Sequence, residues 1–309
     1  MNLRHAYSTA GAAIVLGLLA GCNDQSTTAP PATDTPEPGV VSEPSTAPDL
    51  ATATTATVIA AGDIAGCTSG YKDEATAKLV SGISGTVLTL GDNAYPDGTT
   101  ANFRCYNASW GAFKSRTRPA PGNHEYHQSG AGPYYTYFGS RAGPSGKGYY
   151  SFNLGNWHII SLNSERLTSS QESWLRSDLA ANRTKCTLAY WHKPLFTSGQ
   201  HSPSTEMRPL FNILYDAGAE IVLSGHNHSY ERFAPQTPSG SASSTKGIVQ
   251  FVVGTGGATI TDFRSIRPNS KARYKGHGAL RLRLSSTGYS YSFIALSGSS
   301  KDSGSGTCH

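Results

Sequence analysis

The sequence predicts an α/β fold: a four-layer α/β/β/α sandwich, with two mixed sheets face to face and helices covering their outer sides. Two patterns carry that expectation. Short β-branched apolar runs alternate with helical segments through much of the chain, and several of these runs stop at a glycine beside a metal-ligand residue. Strictly alternating runs then follow, Leu280-Arg281-Leu282-Arg283-Leu284 and Tyr289-Ser290-Tyr291-Ser292-Phe293, and read as half-exposed antiparallel strands.

Taken in order, residues 57–61 form the first strand and end at Gly62-Asp63. Residues 73–83 read as a helix, with Ala75, Leu79, Val80 and Ile83 at helical spacing. A second strand, 86–90, ends at Gly91-Asp92. A β-α-β unit makes the two strands parallel, so both aspartates emerge on one edge. The stretch 147–165 reads as a hairpin turning at Gly155-Asn156. Helices at about 169–182 and 204–218 precede strands that run into Trp191-His192 and Gly225-His226. The region 248–296 is grouped with the hairpin as antiparallel.

The organisation expected is a leader at 1–21, a tether at 22–55 and one domain at 56–309. The apolar run 11–20 follows Arg4 and His5, is too short to cross a bilayer, and closes with Leu19-Ala20-Gly21-Cys22. This resembles a bacterial lipoprotein signal, in which Cys22 is lipidated; a plain signal peptide is the alternative. Either places the domain outside the cytoplasm, anchored to the membrane through lipid alone in the first case. The Thr/Pro/Ala-rich tether lacks the apolar surface that would offset chain entropy. A net charge of +5 makes no case for nucleic-acid binding, and the domain is expected to be a monomer. The basic cluster Arg264, Arg267, Lys271, Arg273 and Lys275 reads as a solvated loop or a phosphate-attracting rim. Besides Cys22 there are Cys67, Cys105, Cys186 and Cys308, which allow three pairings. The nearness of Cys67 and Cys105 to successive ligand loops favours joining them, leaving Cys186 for Cys308.

Five segments carry the chemistry: Gly62-Asp63, Gly91-Asp92-Asn93-Ala94-Tyr95, Gly122-Asn123-His124-Glu125, Trp191-His192 and Gly225-His226-Asn227-His228. A lone Asp after a strand is more often a helix cap than a ligand. Five such segments together supply donors for two adjacent cations, with the central Asp92 as the bridge that reduces their repulsion.

This ordered set resembles the calcineurin-type metallophosphoesterases, and within them the purple acid phosphatases and their secreted bacterial relatives; Ser229-Tyr230-Glu231-Arg232 and Gly254-Thr255-Gly256-Gly257 extend the likeness. The resemblance implies one metal held by Asp63, Tyr95 and His228, a second held by Asn123, His192 and His226, and Asp92 on both. It implies hydrolysis of small phosphate monoesters by attack of metal-bound hydroxide. A phosphodiesterase and a non-catalytic phosphate-binding lipoprotein are the alternatives. Most such enzymes have a histidine where Ala65 stands, which favours Tyr95 as the replacement ligand. A phenolate, costly near neutral pH, calls for a strong Lewis acid such as Fe(3+). Zn(2+), Mn(2+) or Fe(2+) would suit the second site. By the same likeness His124 donates to phosphate or protonates the leaving group, and His201, nine residues beyond His192, contacts substrate. His127 is a weaker candidate, and His158 reads as a hydrogen-bonded core residue.

Overall fold

A computed structural model describes residues 56–184 and 186–309. The leader, the tether and Cys22 lie outside the described residues. Among those described, no helix is long and apolar enough to cross a membrane.

Strand β1 (Ala56–Ala61) opens a parallel pair with β2 (Thr86–Leu90) across helix α1 (Asp73–Ser81), whose Ala77 and Val80 are buried. Helix α2 (Thr100–Ser109) is capped by Thr99, whose hydroxyl accepts the Asn102 N–H. Strand β3 (Thr117–Ala120) then pairs parallel to β2 as the edge of the first sheet. Sequence patterning missed β3, because Thr-Arg-Pro-Ala has no apolar run and Pro119 cannot donate to a ladder. At an edge that missing donor costs nothing. Helix α3 (Gly132–Phe138) and the hairpin of β4 (Tyr150–Leu154) and β5 (Trp157–Ser161) follow, and the Tyr134 and Tyr150 hydroxyls both donate to Pro119 O.

Helix α4 (Ser169–Ala181), β6 (Cys186–Tyr190), α5 (Arg208–Asp216) and β7 (Ile221–Ser224) build the parallel centre of the second sheet. Helix α5 is shorter than the sequence suggests; Pro209 sits in its first turn, and a single 3-10 turn at Thr205–Met207 leads into it. After β8 (Tyr230–Phe233) comes β9 (Val249–Val253), which corrects an expectation. It is buried along its whole length rather than half-exposed, and it pairs antiparallel with β8 on one side but parallel with β7 on the other, as a nearly continuous apolar run covered on both faces can. Strands β10 (Ser270–Tyr274), β11 (Gly278–Leu284), β12 (Gly288–Ala295) and β13 (Ser300–Thr307) complete the sheets, in the orders β13-β12-β11-β1-β2-β3 and β10-β8-β9-β7-β6-β5-β4.

Side-chain parity makes the sandwich. Leu188 and Tyr190 of β6, Ile221 and Leu223 of β7, and Leu280, Leu282 and Leu284 of β11 share the core cluster that also holds Val58 and Ala60 of β1. The intervening Ala189 and Val222 join Leu175, Leu210, Phe211 and Leu214 in a second cluster under α4 and α5. The fold is therefore two mixed sheets flanked by helices.

Cys67 is bonded to Cys105, tying the loop after β1 to α2, and Cys186 is bonded to Cys308, tying β6 of one sheet to the tail of β13 in the other. The second closes a span of 122 residues. Replacing Cys186 and Cys308 together by alanine should lower unfolding free energy by about 2–5 kcal/mol in denaturant titrations, without changing metal content. An unchanged midpoint would show that the cross-link contributes nothing.

Candidate metal centre

All five ligand segments follow strand ends, β1, β2, β3, β6 and β7, so the carboxyl edges of both sheets meet at one place. The backbone there is strained: Asp63, Asp92 and His226 all have positive φ, at 60°, 49° and 70°. Gly122 must lack a side chain, because a Cβ would collide with the Asp92 carboxylate.

Each aspartate divides its work. Asp63 Oδ2 accepts the His226 N–H at 2.8 Å, and its Oδ1 faces the Tyr95 hydroxyl at 3.0 Å and His228 Nε2 at 3.3 Å. Asp92 Oδ1 accepts the His124 N–H at 2.9 Å. Its Oδ2 lies 3.1 Å from the Tyr95 hydroxyl and 3.1 Å from His192 Nε2. Asn123 Oδ1 is 3.1 Å from His192 Nε2, and His226 Nδ1 is 3.2 Å from that same nitrogen. Tyr95 and His228 approach to 3.2 Å. Two donor sets result, Asp63–Asp92–Tyr95–His228 and Asp92–Asn123–His192–His226, and Asp92 Oδ2 belongs to both.

The donor chemistry fits cations. His192 Nδ1 bonds Leu90 O at 2.9 Å and His228 Nδ1 bonds Thr259 O at 2.8 Å. Carbonyls only accept, so these Nδ1 atoms carry protons and Nε2 is the nitrogen of each ring that faces inward, where its lone pair can bind a cation. Lone pairs of carboxylate, amide and imidazole thus converge with the Tyr95 hydroxyl as the donor among them, an arrangement that positive charge stabilises. Asp92, His192 and His226 alone place one ligand atom each within 4.8 Å of one another.

Without metal, protons supply that charge. Burial opposes the His192 imidazolium, but Asp92 beside it outweighs the burial and holds its pKa up at about 10. Asp92 is itself driven below the usual carboxylate range: burial works against ionisation, and His192 overcomes it. His226 is pushed down to about 2 by burial and by His192, which leaves it a neutral ligand. Tyr95 is raised well above 10 by burial and then by Asp63 and Asp92, so without metal it is a phenol. A histidine pKa raised on folding adds stability that is complete below its unfolded value of 6.5 and is lost as pH climbs through about 10. Glu125, raised to about 8, and Glu220, raised to about 7, both first by burial, act in the same sense at lower pH. Chelator-treated protein should therefore lose thermal midpoint between pH 6.5 and 10, and His192→Gln should flatten the upper part of that slope. A midpoint that is level or rising across this window would refute the Asp92–His192 pairing.

Glu125 ends the Gly122-Asn123-His124-Glu125 motif, and its role shows only in the folded chain. It is fully buried and accepts backbone N–H groups from Gly122 at 2.8 Å, Asn93 at 2.8 Å and Ala94 at 3.2 Å, so it pins the loops after β2 and β3 together. Glu231 does similar work farther out, accepting the Ser198 N–H at 2.7 Å and hydroxyl at 2.5 Å.

His124 bonds Pro96 O through Nδ1 and holds Nε2 3.7 Å from Asp92 Oδ2. His201 packs its ring 4.4 Å from that of His226. His127 sits against His124, ring centres 4.8 Å apart, and bonds Asp97 at 3.0 Å. His158 lies elsewhere, bonded to Asn153 at 2.7 Å and Asp178 at 2.6 Å. In the basic cluster, Lys275 pairs with Asp262 and the Arg273 guanidinium bonds Ser270.

Comparison with known proteins places this geometry. The family profile described as Calcineurin-like phosphoesterase matches residues 56–230. Purple acid phosphatase 15 of Arabidopsis thaliana is 29% identical over 189 residues, covering 47% of this chain and 35% of that protein. Acid phosphatase type 7 of Homo sapiens is 29% identical over 204 residues, covering 53% and 46%. The chain thus aligns with less than half the length of these curated relatives. In fold it is similar to the purple acid phosphatase PPD1 from yellow lupin (Lupinus luteus) seeds, at a TM-score of 0.70 and 18% identity over 81% of this chain and 53% of that one. GAP50, the anchor in the inner membrane complex of Plasmodium, gives a TM-score of 0.66 at 13% identity over 82% and 89%. At such identities the likeness is one of fold.

Proposed function

The chain belongs to the calcineurin-like phosphoesterases, and from that footing we propose that it is an extracytoplasmic phosphatase that hydrolyses small phosphate monoesters with two metal ions. The observation that carries the reading is the single oxygen, Asp92 Oδ2, common to both donor sets. Fold alone would not support it, since unrelated tasks share folds.

Asp63, Tyr95 and His228 would hold one ion, Asn123, His192 and His226 the other, with Asp92 between. When bound, the pair supplies Lewis-acid polarisation of the phosphoryl group and lowers the pKa of water. The Tyr95 phenol, whose proton must leave on coordination, favours Fe(3+) in the first site; Zn(2+), Mn(2+) or Fe(2+) suits the mixed donors of the second. The remaining residues orient and exchange protons. His124 keeps Nε2 turned to the centre because Pro96 O engages its other nitrogen, and in the imidazolium form, with both nitrogens protonated, it donates to a phosphate oxygen or protonates a leaving alkoxide. His201 borders the second donor set beside His226. Displacement is direct at phosphorus, in line with the leaving oxygen.

Two disulfides suit an oxidising compartment. With the lipoprotein-like segment ending at Cys22, they support an extracytoplasmic, lipid-anchored domain, and we take that domain to be a monomer with no nucleic-acid partner.

The test is hydrolysis of p-nitrophenyl phosphate and bis(p-nitrophenyl) phosphate by the metal-loaded full chain, with chelator as control. Chelator-sensitive release from the monoester is expected. Hydrolysis of the diester alone would favour a phosphodiesterase, and phosphate binding without turnover a binding lipoprotein. A visible absorption band that is lost in Tyr95→Phe would support iron bound to tyrosinate.

A further inference from the structure

The segment 193–204, between β6 and α5, carries His201 and has no regular secondary structure. Left free, it would place an imidazole poorly. Three buried side chains hold it. Gln250 of β9 accepts the Phe196 N–H at 3.3 Å and donates to Phe196 O at 2.5 Å. Glu231 of β8 holds Ser198. Asn227, fully buried, accepts the His201 N–H on Oδ1 at 2.7 Å and donates from Nδ2 to His201 O at 3.2 Å. A Cβ on Gly199 would run into the Asn227 carboxamide, so the loop lies flat against that side chain.

The match is chemically selective. A carboxamide offers one acceptor and one donor, the complement of the two backbone groups of a single residue. Aspartate lacks the donor and alanine lacks both. Asn227 itself is fixed by tight turns, donating its N–H to Gly225 O at 2.9 Å and accepting the Ser229 N–H at 2.7 Å. The residue between His226 and His228 therefore ties the metal-ligand turn to the loop bearing His201.

We infer that Asn227 is a positioning residue, acting through the backbone of His201 to hold that imidazole over the second donor set, where it meets the substrate. The inference rests on the phosphatase reading for what His201 touches, but the clamp can be measured apart from turnover. The experiment compares Asn227→Ala, His201→Ala, the double variant and Gly199→Ala, whose added Cβ displaces the carboxamide by another route. Three readouts are taken on the full chain: kcat for p-nitrophenyl phosphate, metal content, and amide hydrogen exchange at His201.

Asn227→Ala and Gly199→Ala should each speed exchange of the His201 amide at unchanged metal content. Each should lower kcat by about 10–100-fold, the scale of an ångström-sized misplacement. In the His201→Ala background, Asn227→Ala should change kcat by no more than about twofold, because the two act as one unit. Losses that multiply, or metal content that falls in Asn227→Ala, would overturn the inference, since Asn227 would then act independently of His201. Unaltered exchange in Asn227→Ala would overturn it as well. If the metal-loaded wild type released no phosphate, the phosphatase reading would fail, and the exchange measurement would still decide whether Asn227 holds His201.

Discussion

Asp92→Asn is expected to abolish turnover and to leave the proposed two-metal centre short of at least one ion. The carboxylate is hard to replace, because its Oδ2 lies 3.1 Å from Tyr95 of one donor set and 3.1 Å from His192 of the other. An amide in its place carries no charge, and two cations would face each other unscreened. Metal polarisation of a phosphoryl group is worth several kcal/mol, so kcat should fall by at least about 10³-fold. Elemental analysis after gel filtration should report fewer than two ions per chain. The substitution also removes the partner that raises the His192 pKa, so the loss of stability toward alkaline pH in chelator-treated protein should shrink. Wild-type turnover in Asp92→Asn would show that Asp92 is not the bridge.

The second large effect belongs to Glu125, a residue outside both donor sets. Glu125→Ala leaves the buried N–H groups of Gly122, Asn93 and Ala94 without an acceptor. Orphaned buried donors cost about 1–3 kcal/mol each, so the folded state should lose at least about 3 kcal/mol. Activity should fall with stability, since the same bonds set the loops that present Asp92 and Asn123. Denaturant titration beside metal analysis checks both. Glu125→Gln keeps one acceptor oxygen and should lie between wild type and alanine. A Glu125→Ala protein with unchanged midpoint and full metal content would mean that the loops hold themselves.

The strand ends were legible where local patterning and burial agree. At β1, β2, β6 and β7 a short apolar run stops beside a ligand residue, and the run itself identifies the turn as a sheet edge. β3 escaped because its edge position tolerates Pro119, and an edge strand needs no long apolar run. β13 escaped for a related reason. Ser300–Thr307 is mostly serine and glycine and is held from outside, by the pairing with β12, by Asp302 accepting from Arg232 Nε at 2.7 Å, and by the neighbouring Cys186–Cys308 bond. β9 was visible as an apolar run, but neither its neighbour nor its direction can be read from its own residues.

The candidate ligands were legible through residue type and spacing. What supports them was not. Glu125, Asn227 and Glu231 act on backbone groups far away in sequence, and a backbone N–H has no signature in the identity of the residue that carries it. The outward nitrogens of His192 and His228 bond the carbonyls of Leu90 and Thr259 in the same way. Only the folded chain shows which imidazole nitrogen faces the centre.

The most direct measurement is an anomalous-scattering difference map from crystals of the metal-loaded protein. The account predicts two peaks about 3.5–4 Å apart with Asp92 Oδ2 between them, one beside Asp63, Tyr95 and His228 and the other beside Asn123, His192 and His226. A single peak, or peaks that share no atom of Asp92, would contradict it.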